Sequence, residues 1–278
     1  MSTVAISAQE INKLRQTTGA GMMDCRKALT ETNGDFEAAI DWLRKQGQKV
    51  AAKRSDREAK EGVVIAKTNS NNNIGIVLCV SCETDFVSKN ADFVNFAQSI
   101  ADAAIEQNVN NLEELNNATV NGAKVSDLID DKLATIGEKI GVTKFERVEA
   151  NFVASYIHGA YRIGVLVGLD KNALEVGKDV AMQIAALNPV AIDAANVPAE
   201  IVEREKNIII ELMKQDPKMA GKPDEMIAKI AEGKMGAFFK EQTLTAQSFV
   251  KDGSKTVGEY LKEAGGISVS SFKRVALG

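Results

Sequence analysis

A single histidine, His158, leaves no means of building a histidine-rich metal centre, and neither a Ser-His-Asp arrangement nor a G-x-S-x-G elbow accompanies it. Cysteine is nearly as scarce. Cys25, Cys79 and Cys82 are too few and too unevenly spaced for a disulfide framework. Cys79 and Cys82 do form a C-x-x-C. Redox motifs of that form start a helix, whereas this pair lies on a predicted strand, where residues three apart point to opposite faces and cannot share a metal or a bridge. They read as buried apolar thiols. No apolar run approaches the length that spans a bilayer, and the N-terminal residues lack the features of signal and transit peptides, so a cytoplasmic protein without a membrane partner is expected. Acidic side chains, 38 against 34 basic, give a net charge of −4, a poor match to a polyphosphate backbone that argues against direct nucleic-acid binding. The one phosphate-loop echo, Gly253-Ser254-Lys255-Thr256, has Ser254 and Phe249 where that motif needs glycines, so a turn and then a helix from Thr256 are expected. These residues call for no cofactor, no metal and no enzymatic chemistry of the chain's own.

What is present is a soluble composition, 45% hydrophobic and 26% charged, in a chain long enough for two or three domains. Residues 1–55 read as a three-helix unit: Ser7 caps a helix bearing Ile11 and Leu14, Gly19-Ala20-Gly21 breaks it, Met22 to Thr32 makes a second, and Asn33-Gly34-Asp35 turns into a third with Phe36, Ala39, Ile40 and Leu43 at helical spacing. The charged stretch Lys49 to Glu61 reads as an extended or frayed linker, with residues 56–61 joining a tethered first domain to the rest. A core follows, its first half at 62–145 and its second at 146–188 and 237–278. All four prolines, Pro189, Pro198, Pro217 and Pro223, punctuate a helical hairpin at 189–236 with Ile201, Ile208, Ile209 and Leu212 on one helix and Met226, Ile227, Ile230 and Met235 on the other. Its apolar stripe packs either on the chain's own core or on a partner, a second copy included. A helix at Val257–Ala264 and a strand at Ile267–Val275 close the chain.

The core contains an internal repeat. Ile74-Gly75-Ile76-Val77-Leu78 matches Ile163-Gly164-Val165-Leu166-Val167 at an offset of 89 (163 − 74), and each copy reads as strand, loop, strand, helix. The tips fall at Asn69–Asn73 and His158–Arg162. A duplicated α+β fold is expected. Thr84-Asp85-Phe86-Val87 stands where the strand Ile74–Val80 hands over to a helix starting near Ala91, which puts Phe86 on a connecting loop. Two readings are open there, an outward wedge for a partner and a satellite core contact. The offset takes Asp85 and Phe86 to Leu174 and Glu175, so the second copy has no aromatic at that corner, which favours the wedge.

Leu14-Arg15, Thr18-Gly19-Ala20-Gly21-Met22-Met23-Asp24-Cys25, Lys27-Ala28-Leu29, Asn33-Gly34-Asp35 and Thr84-Asp85-Phe86-Val87 together resemble bacterial elongation factor Ts, in order and spacing. His158-Gly159-Ala160, the run Arg162 to Val167, and Ser254-Lys255-Thr256-Val257-Gly258 extend the resemblance over nearly the whole chain. That family implies a ubiquitin-associated-like N-terminal domain, a two-part core, and a dimerisation hairpin, hence a homodimer through 189–236. It implies a guanine nucleotide exchange factor that binds elongation factor Tu carrying GDP and promotes GDP release, so that GTP rebinds during translation elongation. By resemblance, Asp85 and Phe86 enter the nucleotide domain of Tu near its magnesium, and the Thr84–Val87 segment dislodges that ion. Arg15, Met22 and Met23 match positions touching the same Tu domain, and His158 matches one at the core's contact with Tu. From the residues alone, Met22 and Met23 also fit helix packing and His158 a solvated hairpin tip. Some members carry a further C-terminal helical module beyond the point matched by Gly278, and no contact of that module transfers to this chain. Two competing classes remain in view: a binding adaptor built on the three-helix domain, which does not accelerate nucleotide release, and a thiol oxidoreductase dependent on Cys82.

Overall fold

A computed structural model describes residues 6–54, 56–216 and 222–277 and is of mixed helix and sheet. Three helices come first. α1 (Ala8–Thr18) opens on a capping box in which the Ser7 hydroxyl accepts from the Glu10 N–H while the Glu10 carboxylate accepts from Ser7, and Gly19 ends it at φ 71°. With α2 (Met22–Glu31) and α3 (Phe36–Arg54) it encloses Leu14, Cys25, Ala28, Leu29, Ala39 and Leu43. The expected linker over Lys49–Glu61 is corrected here, because α3 continues to Arg54. Past Gly47 the run is Gln, Lys, Val, Ala, Ala, Lys and Arg, mostly good helix formers with no Gly or Pro to stop them.

β1 (Glu61–Thr68) and β2 (Ile74–Cys82) make an antiparallel hairpin. The chain then forms α4 (Asp85–Ser88), α5 (Ala91–Glu106), α6 (Leu112–Asn117), a small hairpin of β3 (Thr119–Val120) and β4 (Ala123–Lys124), and α7 (Val125–Ile136). It returns as β5 (Gly141–Glu149), which pairs with β2, giving the order β1-β2-β5. β5 is continuous across residues 145 and 146, where the two halves of the core had been divided. Its Lys, Glu and Arg side chains belong to an edge strand, and so gave no strong apolar signal. β6 (Phe152–His158) and β7 (Ile163–Leu169) form the next hairpin, followed by α8 (Leu174–Leu187). α9 (Ala199–Gln215) and α10 (Asp224–Gln242) form the helical hairpin, which runs past residue 236, with Pro217 outside the described residues. β8 (Ser248–Phe249), β9 (Asp252–Thr256), α11 (Val257–Glu263) and β10 (Val269–Ala276) complete the chain. Residues 252–256 are thus a short strand paired with β8 rather than a plain turn, and Thr256 caps α11 through a capping box with Glu259.

The second sheet has the order β6-β7-β10, the same succession as the first. The two sheets pack face to face, Val64, Val77, Cys79 and Val148 meeting Val153, Leu166 and Val275. Their outer faces are covered by helices: α5 lays Phe93, Phe96, Ala97 and Ile100 on Ile76, Leu78 and Val80, and α8 lays Val180, Ala181 and Ile184 on Ala154, Val165 and Val167. The central strands β2 and β7 are therefore buried on both sides and read as continuous apolar runs. The repeated Ile-Gly has a physical cause. A Cβ on Gly75 would lie 2.8 Å from Val153 Cγ1, and one on Gly164 would lie 2.7 Å from Val77 Cγ2, so both glycines permit the close approach of the sheets.

Nor is the three-helix unit merely tethered, as the charged stretch had suggested. α3 lies along α7 so closely that a Cβ on Gly47 would sit 2.7 Å from that of Ala134, and Arg44 faces Asp131 at 3.9 Å. Burial holds the Asp131 carboxyl above its ordinary pKa, Arg44 opposing this only in part.

On α9 the apolar residues divide. Ile209, Ile210 and Met213 pack against Ile227, Ile230 and Ala231 of α10, whereas Ile208 and Leu212 face solvent.

Candidate partner-binding site

The corner after β2 is built by an exchange of carboxylates across the chain. Glu138, just past the left-handed Gly137 that ends α7, accepts through Oε2 from the backbone N–H groups of Glu83 (3.1 Å) and Thr84 (3.0 Å), and through Oε1 from the Thr84 hydroxyl (2.6 Å). Glu83 reciprocates: its Oε1 accepts from the Lys139 N–H at 2.6 Å and its Oε2 from Arg57 at 3.0 Å. Thr84 has the extended backbone of an N-cap, φ −123° and ψ 154°, but its hydroxyl is turned to Glu138 and does not cap the helix. From this foot the chain makes one turn of helix, α4, rather than the expected loop. Ser88 N–H donates to Thr84 O and Lys89 N–H to Asp85 O, and then Asn90 starts α5 by accepting from Asp92 N–H. A short run of mixed polar and apolar residues ahead of an asparagine cap suits a single turn no less than a loop.

One turn suffices to separate two apolar side chains. Val87 packs inward on the cluster under α5, and Phe86 points away and is 84% exposed, more than any other large hydrophobic residue described. The satellite-contact alternative for Phe86 is thereby excluded. Asp85 accepts from Lys89 at 2.6 Å, and that hydrogen bond, with the lysine's charge, holds the carboxyl below its ordinary range. Beneath the turn the Cys82 thiol donates to Thr84 O at 3.2 Å. Burial, with the Glu138 and Glu61 carboxylates adding to it, pushes its pKa up to about 12. Cys79 points to the other face of the sheet, into the layer between the sheets, and burial raises its pKa too. Neither thiol has the lowered pKa of a reactive cysteine.

A cleft of about 620 Å³ lies beside the turn, walled by Thr84, Asp85, Phe86 and Lys89 on one side and by Gly159 to Arg162 on the other. The β6–β7 tip reaches it because Gly159, Ala160 and Tyr161 are all left-handed (φ 63°, 52° and 68°), and Tyr161 O accepts from Val64 N–H at 2.8 Å, fastening the tip of the second sheet to the first. His158 stands exposed at the base of that tip with Nδ1 2.9 Å from the Tyr156 hydroxyl, next to the cleft but not lining it. Arg15, Met22 and Met23 lie elsewhere, on the three-helix unit, where Met22 and Met23 are 56% and 73% exposed around the start of α2. They are not helix packing. The structure thus brings Thr84–Val87 together with the His158 tip and leaves the N-terminal residues apart. Glu138, Glu83 and Arg57 were missed by sequence reasoning, and no local pattern marks a contact spanning 54 residues.

Among the described residues no group of three His, Cys, Asp or Glu side chains gathers where it could hold a metal, and no helix is long and apolar enough to cross a membrane. Residues 83–278 match the family model described as Elongation factor TS, which places them in the class of translation elongation factors. The chain is 47% identical to elongation factor Ts of Christiangramia forsetii over 277 residues, covering 98% of this chain and 99% of that protein. It is 46% identical to that of Flavobacterium psychrophilum with the same coverage, and 44% identical to that of Amoebophilus asiaticus over 280 residues, 99% of this chain and 100% of the other. The chain belongs to the elongation factor Ts family.

Proposed function

We propose that this chain is a guanine nucleotide exchange factor that binds elongation factor Tu carrying GDP, dislodges its magnesium and promotes GDP release, without chemistry of its own, in the cytoplasm. The observation that carries the proposal is the outward Phe86 ring on a turn braced at its foot. An aromatic wedge already held in place loses little conformational freedom on insertion. Phe86 enters an apolar crevice that opens when the partner's helices shift, Asp85 disturbs the magnesium shell through its carboxylate, and Thr84 and Val87 set the turn that carries both. Exposed Met22, Met23 and Arg15 supply a second contact, and His158 a third. The domain plan goes with this: a ubiquitin-associated-like three-helix unit, a short joining segment, two related core halves that meet after β5, and the hairpin of α9 and α10 as a dimer contact. The matching strand orders of the two sheets and the shared glycines support descent of the halves by duplication.

Nucleotide held at nanomolar affinity is bound by about 12 kcal/mol, and each ~1.4 kcal/mol taken from the release barrier speeds it tenfold. Stopped-flow release of fluorescent GDP from Tu tests the proposal, with the parent and the Phe86→Ala and Asp85→Ala variants, at high and low magnesium. Acceleration by the parent and its loss in both variants is expected. No acceleration by a folded parent would instead favour the adaptor. Linkage adds a second check: the chain must bind nucleotide-free Tu more tightly than GDP-loaded Tu, and equal affinities would refute exchange.

A further inference from the structure

We propose that Glu138 is the positioning residue of the Phe86 turn, holding it in its docking geometry before any partner arrives; this rests on the exchange reading above. A four-residue helix has no stability of its own, since the nucleation of a turn is unfavourable. What fixes α4 is at its two ends. Val87 anchors one side on the core, and the other end hangs on one carboxylate that receives three donors, Glu83 N–H, Thr84 N–H and Thr84 Oγ–H. Charge-assisted hydrogen bonds of this kind are about twice as strong as neutral ones. Glu138 is itself set in place, because the next residue, Lys139, gives its N–H to Glu83 and its ammonium to the Arg57 carbonyl at 2.9 Å. It follows directly on the last residues of α7, the helix against which α3 rests. The corner and the three-helix unit thus share one support.

Glu138 lies behind the turn and acts through Thr84. Its removal should lower the fraction of molecules whose turn is competent, and a partner must then restore the turn at the expense of affinity. In GDP-release kinetics on Tu, Glu138→Ala is expected to raise the half-saturating concentration about tenfold while the saturating rate stays within about twofold, with Glu138→Gln intermediate. Phe86→Ala, which removes the wedge itself, lowers the saturating rate instead. Amide hydrogen exchange read by NMR on the full chain, with no partner present, should show Glu83 and Thr84 at least tenfold faster in Glu138→Ala and the amides of β1 and β7 unchanged. An unchanged half-saturating concentration, or unchanged exchange at Glu83 and Thr84, overturns the assignment. Should Glu138→Ala not fold, Thr84→Val removes only the hydroxyl bond, with about a threefold rise in half-saturation expected and no rise counting against Glu138. If the parent fails to release GDP, the exchange reading falls, while the amide measurement still decides the positioning role.

Discussion

The two strand-to-helix corners of the core start alike and end differently. After β7 the chain passes Asp170, which accepts from Ser268 N–H at 2.8 Å, and enters a single helix, α8, at Leu174. Leu174 is 44% exposed and Glu175 pairs with Lys178 at 3.2 Å, a plain amphipathic start to a helix. After β2 the corresponding stretch is broken in two, α4 and then α5, and the break lifts Phe86 clear of the surface. A bond between a carboxylate and a backbone N–H fastens each corner. After β2, however, the carboxylate comes from a distant loop and seizes the foot of the turn, whereas after β7 it is the corner's own and holds the distant Ser268 N–H. A helix start becomes a presented side chain when it is detached from its helix and braced from outside.

The sharpest break of this comparison is Phe86→Ala, expected to slow stimulated GDP release about 100-fold, the scale of an interface hot spot, with no change in the thermal midpoint. Its mirror, Glu175→Phe, places an aromatic at the other corner and should leave release unchanged, since no brace presents it. Next comes the likeness of the sheets. Gly164→Ala and Gly75→Ala each force a methyl to within 2.9 Å of valine or leucine side chains in the facing sheet, and about 1–3 kcal/mol of stability should be lost in urea unfolding. Asp170→Ala, which leaves Ser268 N–H without its acceptor, should cost about 1 kcal/mol by the same measurement. The smallest effect is Lys89→Ala. Asp85 then titrates closer to an ordinary aspartate, which carbon-detected NMR of its carboxyl would report. The sign follows from the lowered pKa: the ion pair contributes above the ordinary carboxylate range and fades as pH falls through the lowered value.

Much of this was legible in the residues. Gly75 and Gly164 mark the two central strands, Ser7 and Gly19 bound the first helix, and the aromatic without a counterpart at Glu175 pointed to the exposed ring. What escaped were relations between distant segments. Lys49 to Arg54 looked like solvated charge, and the close approach of α3 to α7 is marked only by Gly47 on the one helix and Ala134 on the other. Glu138 looked like any acidic residue after a helix. Its three donors lie 54 and 55 residues earlier in the chain, where no periodicity reaches.

The face-to-face layer between the sheets also bears on the order in which the chain can acquire its structure. Val275, on β10, fills the same layer as Val64 and Val77 from the first hairpin, and β10 completes the second sheet by pairing with β7. During synthesis the early hairpin therefore waits with one apolar face bare until β6 and β7 bring Val153 and Leu166 onto it, and the layer is completed only when β10 adds Val275. Such long-range pairing slows folding and leaves a sticky intermediate for the interval.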